Sequence, residues 1–333
     1  MPLIEKSTYK PPFLFGNGHV QSIVPTLFRK VRGVAYTRER INTPDNDFID
    51  LDCSGLNADR AVIIIHGLEG NASRAYMLGM ARAFNRRGWD SVSINLRGCS
   101  GEPNRLIRSY HSGISDDLDT VVCHLVEKDK YASLALVGFS IGGNIILKYL
   151  GEKGPEGSPL IKAAAAVSVP CDLASSARKL ADLSNMIYMK RFLKLFHEKI
   201  KAKMALMPEK INDRNFKSIR TFQQFDDRYT APIHGFADAD DYWSACSSKQ
   251  FLSAISIPTL MISAWNDPFL PEECYPREEA GRSDVLYLEI PDSGGHVGFI
   301  HFNSRGEYWH ETRITSFVCE HSGVSRKRGQ VCS

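Results

Sequence analysis

Apolar runs rich in β-branched residues alternate with helical segments along much of the 333-residue sequence. Residues 61–65 form an unbroken apolar run, as expected for a parallel strand that is buried on both faces. A helical pattern over about residues 74–87 follows, and strand and helix then alternate up to about residue 169. Such alternation produces βαβ units, in which parallel strands lie side by side with helices on both faces. The sequence therefore predicts an α/β fold built on a mostly parallel sheet.

Eight strands are predicted from this alternation and from the turn residues between the apolar runs. The first two strands flank the turn Pro44, Asp45 and Asn46, and they predict an antiparallel hairpin at one edge of the sheet. The predicted strands lie at residues 36–43, 47–53, 61–65, 90–96, 134–138, 162–169, 259–264 and 285–290, with helices over 74–87, 116–127, 141–150 and 308–320.

The charge balance and the cysteine pattern exclude several classes of protein. The 41 Lys and Arg residues against 38 Asp and Glu residues leave a formal net charge of +3, which is too small for a dedicated nucleic-acid binder. Eight scattered cysteines without a CxxC pair indicate neither a zinc cluster nor a redox dithiol. No HExxH spacing occurs, and the glycine-containing segment 97–101 lacks the GxGxxG and GK[ST] patterns. We therefore expect no metal, nucleotide or other cofactor.

The sequence also allows a prediction of the cellular location. No apolar run approaches the roughly 20 residues that cross a bilayer. The first residues lack a basic segment, an apolar core and a cleavage site in that order. We therefore expect a cytoplasmic protein with reduced thiols and no transmembrane segment. The oligomeric state stays open.

The most informative motif is Gly138-Phe139-Ser140-Ile141-Gly142, which lies where a buried strand meets a helix. A serine on a sharp strand-to-helix turn adopts a strained backbone that crowds the positions two before and two after it. Gly138 and Gly142 provide the small residues that this turn requires. The pattern predicts that Ser140 is an exposed nucleophile, whereas the alternative is a serine in an ordinary turn.

A nucleophilic serine requires a base, and the base requires a group that orients it. His296 lies in the glycine-rich segment 294–298 after the last predicted strand, and Asp267 lies in a turn after the strand at 259–264. Strands of a parallel sheet present such turns at one edge. We predict Ser140, Asp267 and His296 as a catalytic triad. Open alternatives for the acid are Asp292 and Asp241; His301 and His310 are less suited as the base, and His66 and His111 are expected to be structural.

A tetrahedral intermediate also requires hydrogen-bond donors for its oxyanion. The residue after the nucleophile is Ile141, whose backbone N–H lies at a helix N-terminus, where the helix dipole favours negative charge. The second donor is expected in the loop after the strand at 61–65, which reads His66-Gly67-Leu68-Glu69-Gly70. We predict the backbone amides of Leu68 and Ile141 as the oxyanion hole.

These motifs together resemble one branch of a known family. They occur in order between residues 17 and 299 and comprise Asn17, Gly18, His19, Gln21, 66–70, Asn95, 97–101, 110–113, Asp116, Asp117, 138–142, Phe225, Asp226, 230–232, Gly235, Phe236, Asp241, Tyr242, 267–269 and 294–299. The set resembles the YheT-type branch of the α/β hydrolases, a family of hydrolases and esterases that also includes fungal medium-chain fatty-acid ethyl ester synthase/esterases. The family triad matches Ser140, Asp267 and His296. Asn46 stands where the family usually has glycine, and asparagine tolerates the same left-handed conformation.

The resemblance implies an α/β-hydrolase fold and a serine esterase that acts on short- or medium-chain carboxylic esters, which are small-molecule substrates. The same acyl-enzyme could pass its acyl group to an alcohol, or the substrate could be a thioester. A hypothesis of another class is a catalytically silent fold used as a binding module, which the complete triad disfavours.

The triad residues lie on both sides of a helical stretch, which suggests one domain over residues 1–333 with an insertion. We expect an irregular N-terminal arm over 1–35, a helical cap over 171–230 and a frayed tail over 322–333.

Helical spacing in the cap segment separates an apolar face from a basic face. The apolar face carries four methionines, which would suit either an adaptable acyl-chain pocket or a surface that only covers the sheet. The basic face is expected to be solvated, with weak contact with an anionic membrane as the alternative. The basic residues are Lys190, Arg191, Lys194, Lys199, Lys201 and Lys203.

Overall fold

The computed structural model describes residues 3–323 and contains one sheet of nine strands. Their bounds agree with the eight predicted strands to within a few residues, and one strand more is present. In chain order the strands are β1 (Leu3–Ile4), β2 (Thr37–Asn42), β3 (Phe48–Ser54), β4 (Arg60–Ile65), β5 (Asp90–Asn95), β6 (Ser133–Phe139), β7 (Ile161–Val167), β8 (Thr259–Ile262) and β9 (Leu286–Glu289).

The strand order is β1-β9-β8-β7-β6-β4-β5-β3-β2. Strands β2 and β3 form the predicted antiparallel hairpin at one edge, and β3 is also antiparallel to β5, whereas the other neighbouring pairs are parallel. The additional strand β1 pairs with β9 at the opposite edge through only two residues. A strand this short carries no detectable alternation, which explains why the sequence predicted eight strands instead of nine.

Helices cover both faces of the sheet, and each face has its own apolar cluster. Helices α3 and α4 pack on one face, and α2 and α11 pack on the other. The helices described in residues 3–323 are α1 (Gly18–Phe28), α2 (Ala75–Asn85), α3 (Ser115–Glu127), α4 (Ile141–Lys153), α5 (Leu173–Leu180), α6 (Met186–Leu206), α7 (Phe222–Phe225), α8 (Ala231–His234), α9 (Ala239–Cys246), α10 (Arg277–Gly281) and α11 (Trp309–His321).

The N-terminal arm is not irregular throughout, because residues 18–28 form α1. The Asn17 side chain caps this helix by accepting a hydrogen bond from the Val20 amide. Gln21, on the buried side of this helix, accepts a hydrogen bond from the Tyr9 hydroxyl at 2.7 Å. The prediction of an irregular arm rested on its proline and glycine content, but Pro25 lies in the second half of the helix and does not prevent it.

The helical segment expected at 171–230 lies between the neighbouring strands β7 and β8. Its helices continue beyond residue 230, because α8, α9 and a 3₁₀ helix at Ser248–Ala254 follow. Side chains of α6, α7 and the segment between them form a separate apolar cluster. The division into domain, arm and cap stays a prediction. Of the expected frayed tail at 322–333, residues 324–333 lie outside the described part of the chain.

Candidate active site

Ser140 lies at the junction of β6 and α4, at the carboxyl edge of the parallel strands. Its backbone has φ 54° and ψ −121°, a conformation that residues with a side chain rarely adopt. The Ser140 amide donates to the Val167 carbonyl at 2.8 Å, and the Ser140 carbonyl accepts from the Asn144 amide at 3.1 Å. These bonds hold the strained turn between strand and helix, as an exposed nucleophile on an elbow requires.

The elbow glycines are required by close backbone contacts. A Cβ atom on Gly142 would lie 2.5 Å from the Ile65 carbonyl oxygen, and one on Gly138 would collide with the backbone of Gly142. We expect Gly142→Ala to lower the free energy of unfolding by about 3 kcal/mol or more, because backbone atoms cannot move aside. Urea denaturation measures this change. Gly16→Ala, which meets no atom within 4 Å, is the control, and an equal effect of both substitutions would contradict the steric argument.

His296 and Asp267 are in direct contact. His296 Nδ1 lies 2.9 Å from Asp267 Oδ2 and 3.1 Å from Oδ1. The Asp267 side chain has no exposed surface, and its Oδ1 also accepts from the Phe269 amide at 2.9 Å. The Phe269 ring lies against the imidazole, with the ring centroids 4.2 Å apart. This arrangement orients the imidazole with Nε2 available as a base.

The alternative candidates have other surroundings. Asp292 is exposed, and the exposed Asp241 accepts from the Ala237 amide beside the N-terminus of α9. His301 is exposed and contacts Asn303, whereas His310 is fully buried against aromatic rings. None of these four residues lines the cavity that Ser140 and His296 share.

The loop after β4 leaves one amide available at the predicted oxyanion hole. The Gly67 amide donates to the Tyr76 hydroxyl at 3.1 Å, the Glu69 amide to the Tyr110 hydroxyl at 3.0 Å, and the Gly70 amide to the Gly67 carbonyl at 2.9 Å. Among the described residues the Leu68 amide has no acceptor. Leu68 and Ile141 line the same cavity as Ser140, and a Cβ atom on Gly67 would lie 3.2 Å from that of Ser140. The loop therefore passes close to the nucleophile.

His66 anchors the start of this loop and is fully buried. Its Nε2 accepts from the Leu96 amide at 3.1 Å, so its Nδ1–H donates to the Gly67 carbonyl at 2.7 Å. Burial lowers the pKa of His66 to about 4, and the imidazole is neutral.

His111 is likewise neutral, because burial and the neighbouring His234 lower its pKa. It accepts from the Gly113 amide at 3.2 Å.

The lowered pKa of His66 predicts a loss of stability in mild acid. Between about pH 6.5 and pH 4 the unfolded chain binds a proton at this position while the folded chain does not, so acid favours unfolding. We expect His66 alone to lower the free energy of unfolding by about 2 kcal/mol from pH 7 to pH 5. Denaturant unfolding of the wild type and of His66→Gln at both values measures this difference. The exposed His301→Gln is the control, and an equal pH dependence in all three proteins would contradict the prediction.

A cavity of about 340 Å³ joins the site to the inserted helices. Its wall above the sheet consists mainly of apolar side chains, of which Phe192, Phe196, Ile200, Phe222, Phe225 and Tyr229 are examples. Polar side chains also line it, and one of them is Asp226, which accepts from Thr230 Oγ1 at 2.5 Å and from Trp243 Nε1 at 2.9 Å. Burial raises the pKa of Asp226 to about 7.

The basic face and the methionine-bearing apolar face of α6 do not fully match the predictions made for them. Lys199 and Lys203 are not on a solvated basic face: Lys203 is buried and donates to the Asn104 carbonyl at 2.9 Å, and Lys199 contacts Glu69. Burial lowers the pKa of Lys203 to about 8. The other basic residues of this set are exposed, and membrane contact stays a prediction. Of the described residues that line the cavity, none is a methionine, so the cavity is not the methionine pocket considered above.

The described residues form neither a metal cluster nor a membrane-spanning helix. Among residues 3–323, no group of three or more His, Cys, Asp or Glu side chains is arranged to hold a metal ion. Within the same range, no helix combines the length and the apolar character needed to cross a bilayer.

Comparison with known proteins defines the class. A family model described as the alpha/beta hydrolase fold matches residues 60–301. The chain therefore belongs to the α/β hydrolase family, which confirms the family, the fold class and the hydrolase class expected from the sequence. Within this family it is similar to the Escherichia coli (strain K12) protein named "Putative esterase YheT". The two are 37% identical over 313 residues, which cover 91% of each chain.

Other similarities are more distant. The chain is 28% identical to phospholipase ABHD3 of Bos taurus over 303 residues, which cover 88% of this chain and 73% of the relative. The structure of the Pyrococcus furiosus esterase Pf2001 superposes with a TM-score of 0.58 at 16% identity, covering 89% of this chain and 99% of that chain. At this identity the superposition supports the fold alone.

The sequence did not predict several residues that support the site. The Ser22 hydroxyl on α1 accepts from the His296 amide at 2.8 Å, and the Phe269 ring contacts the imidazole. Ser22 lay in the arm that was expected to be irregular, so no signal pointed to it. Lys203 had a signal, because it follows Ile200 by three residues and Phe196 by seven, on the apolar side of the helix.

Proposed function

We propose that the protein hydrolyses carboxylic esters through a Ser140, His296 and Asp267 triad and an acyl-enzyme intermediate. The observation that carries this proposal is the 2.9 Å contact between His296 Nδ1 and Asp267 Oδ2, in the wall of the cavity that Ser140 also lines. An imidazole whose Nδ1–H donates to a carboxylate has its lone pair on Nε2, where a base for the serine is needed.

In the proposed mechanism, His296 Nε2 accepts the hydroxyl proton while Ser140 Oγ attacks the carbonyl carbon of the ester. The amides of Leu68 and Ile141 stabilise the oxyanion that forms. The alcohol leaves with the proton from His296, and the acyl group stays on Ser140. Water then attacks this acyl-enzyme with His296 again as base, which releases the acid and regenerates the enzyme. Asp267 orients the imidazole and stabilises its protonated form.

The cavity favours an ester with a short or medium acyl chain. Phenylalanine and isoleucine side chains form much of its wall, so an alkyl chain would be buried there with a gain of about 0.8 kcal/mol per methylene group. The names of the relatives, an esterase and a phospholipase, are consistent with acyl esters as substrates. The cavity volume of about 340 Å³ suits a small molecule rather than a polymer.

Labelling with a fluorophosphonate tests the nucleophile. We expect the native protein to form a covalent adduct with one equivalent of the probe, and mass spectrometry of its peptides to find the adduct on Ser140. Heat-denatured protein is the control, because an isolated serine without its base does not react. Absence of labelling, or an adduct on another serine, would contradict the proposed mechanism.

A series of nitrophenyl esters from acetate upward tests the acyl specificity. We expect kcat/KM to rise with each added methylene and then to fall once the chain exceeds the cavity. Product ratios with and without added ethanol measure the competing acyl transfer to an alcohol, and acyl thioesters of equal chain length measure thioesterase activity. Exclusive formation of ethyl esters, or activity confined to thioesters, would replace ester hydrolysis as the function.

A further inference from the structure

Glu69, next to the predicted oxyanion donor Leu68, has a strained backbone. Its φ of 52° lies in the left-handed region, which costs a residue with a side chain roughly 1 kcal/mol or more. Such a conformation persists only where contacts impose it. The Leu68 N–H belongs to the Gly67–Leu68 peptide, which is joined through the Leu68 Cα to the Leu68–Glu69 peptide, so contacts that fix the Glu69 backbone also restrict the orientation of the Leu68 amide. The contacts of Glu69 therefore have consequences for the reaction.

Tyr110, which lies in the loop between β5 and α3, contacts Glu69 through its hydroxyl. Its hydroxyl accepts from the Glu69 amide at 3.0 Å and donates to Glu69 Oε1 at 2.5 Å. Arg74 donates to the Glu69 carbonyl at 3.2 Å. The backbone and the side chain of Glu69 are thus bound at the same time, and the side chain is only 9% exposed.

The remaining partner of this carboxylate comes from the inserted helices. Lys199 on α6 donates to Glu69 Oε1 at 2.9 Å, lies 4.4 Å from the centre of the Tyr110 ring, and contacts the Cys99 thiol at 3.1 Å. Burial acts to lower the pKa of Lys199, but the Cys99 thiol and the Glu69 carboxylate more than compensate and hold the pKa above its ordinary value. The ion pair has little contact with solvent, and removing one partner would leave the other poorly solvated.

We infer that Glu69 and Lys199 are positioning residues, through which helix α6 fixes the Leu68 amide at the oxyanion hole. This inference rests on the proposed function and adds a condition to it: the hole is fully formed only while α6 is docked. Lys203, one turn further along α6, also anchors the helix, but to the Asn104 carbonyl and not to the oxyanion loop. A substitution of Lys203 should therefore perturb the docking of α6 alone, whereas a substitution of Lys199 should also perturb the oxyanion loop.

Kinetics of Lys199→Met tests the inference, with the exposed Lys194→Met on the same helix as matched control. We expect kcat to fall about 10-fold to 10²-fold, less than the loss of a whole oxyanion donor, with KM changed by less than about threefold. Lys199→Arg should recover most of the loss. Glu69→Gln should lower kcat similarly, and the double variant should be no worse than the worse single variant. The acidic limb of the pH–rate profile should not move, because His296 is not the affected group.

Hydrogen exchange of the peptide covering residues 66–74 gives a second measurement that needs no activity. We expect exchange at least about tenfold faster in Lys199→Met than in the wild type, with no change in Lys194→Met and a smaller change in Lys203→Met. Equal effects of Lys199→Met and Lys203→Met on kcat and exchange would assign both lysines to docking alone and overturn the inference. Failure of the wild type to react with the fluorophosphonate would instead overturn the proposed function, and the exchange experiment would still decide whether Lys199 orders the loop.

Discussion

Ser140→Ala is expected to abolish ester hydrolysis, with kcat reduced on the order of 10⁶-fold. In the proposed mechanism His296 and Asp267 act on this hydroxyl and on the acyl group that it carries, so the two residues should contribute little without it. The residual rate would come from the cavity and the oxyanion donors acting on water. Steady-state hydrolysis of the best nitrophenyl ester measures the change, and the exposed Ser244→Ala serves as control. Retention of more than about a hundredth of the wild-type rate would exclude Ser140 as the nucleophile.

The same position allows a separation of folding from catalysis. Alanine keeps the strained conformation with φ 54° and ψ −121°, whereas glycine adopts it without strain. Ser140→Gly should therefore be more stable than Ser140→Ala, by about 1 kcal/mol, and both variants should be inactive. Equal stability of the two variants in denaturant unfolding would contradict the view that the strain at the elbow is stored for function.

The parts of the site that the sequence predicts share a local signal. Ser140, Asp267 and His296 each follow an apolar strand, with glycine or proline beside them, so pattern and chain order identify them together. The parallel sheet then brings the carboxyl ends of those strands to one edge. The contact between His296 and Asp267 agrees with that reasoning, although their catalytic roles stay predictions.

The contacts of Glu69 with Lys199, and of Ser22 with His296, have no such signal. Lys199 lies 130 residues from Glu69 along the chain. Its spacing of three and seven residues from Phe196 and Phe192 places it on the apolar side of α6, as for Lys203, but this spacing does not identify the carboxylate that it contacts. Ser22 belongs to helix α1, which the sequence did not predict because the arm is rich in proline and glycine. Such long-range polar pairs depend on how the inserted helices and α1 pack against the rest of the fold. Hydrophobic periodicity predicts each helix separately and does not encode this packing.

Asp267→Asn tests the proposed role of Asp267 in orienting His296. The Asp267 carboxylate accepts two hydrogen bonds at once, from the Phe269 amide and from His296 Nδ1. An asparagine would keep its oxygen toward the Phe269 amide and turn its NH₂ toward Nδ1. The imidazole would then accept at Nδ1 and carry its proton on Nε2, the tautomer that cannot take the proton of Ser140. The loss would arise from the wrong tautomer and not from a disturbed fold.

We therefore expect Asp267→Asn to lower kcat at pH 7 by roughly 10⁴-fold, with KM and the unfolding midpoint little changed. Asp292→Asn is the matched control, since Asp292 lies close to His296 along the chain but is exposed. Its kcat should stay within about twofold of the wild type. The reverse outcome, with Asp292→Asn inactive and Asp267→Asn active, would move the acid of the triad to Asp292. Loss in both variants would instead mean that negative charge near His296, and not the specific hydrogen bond to Nδ1, supports the base.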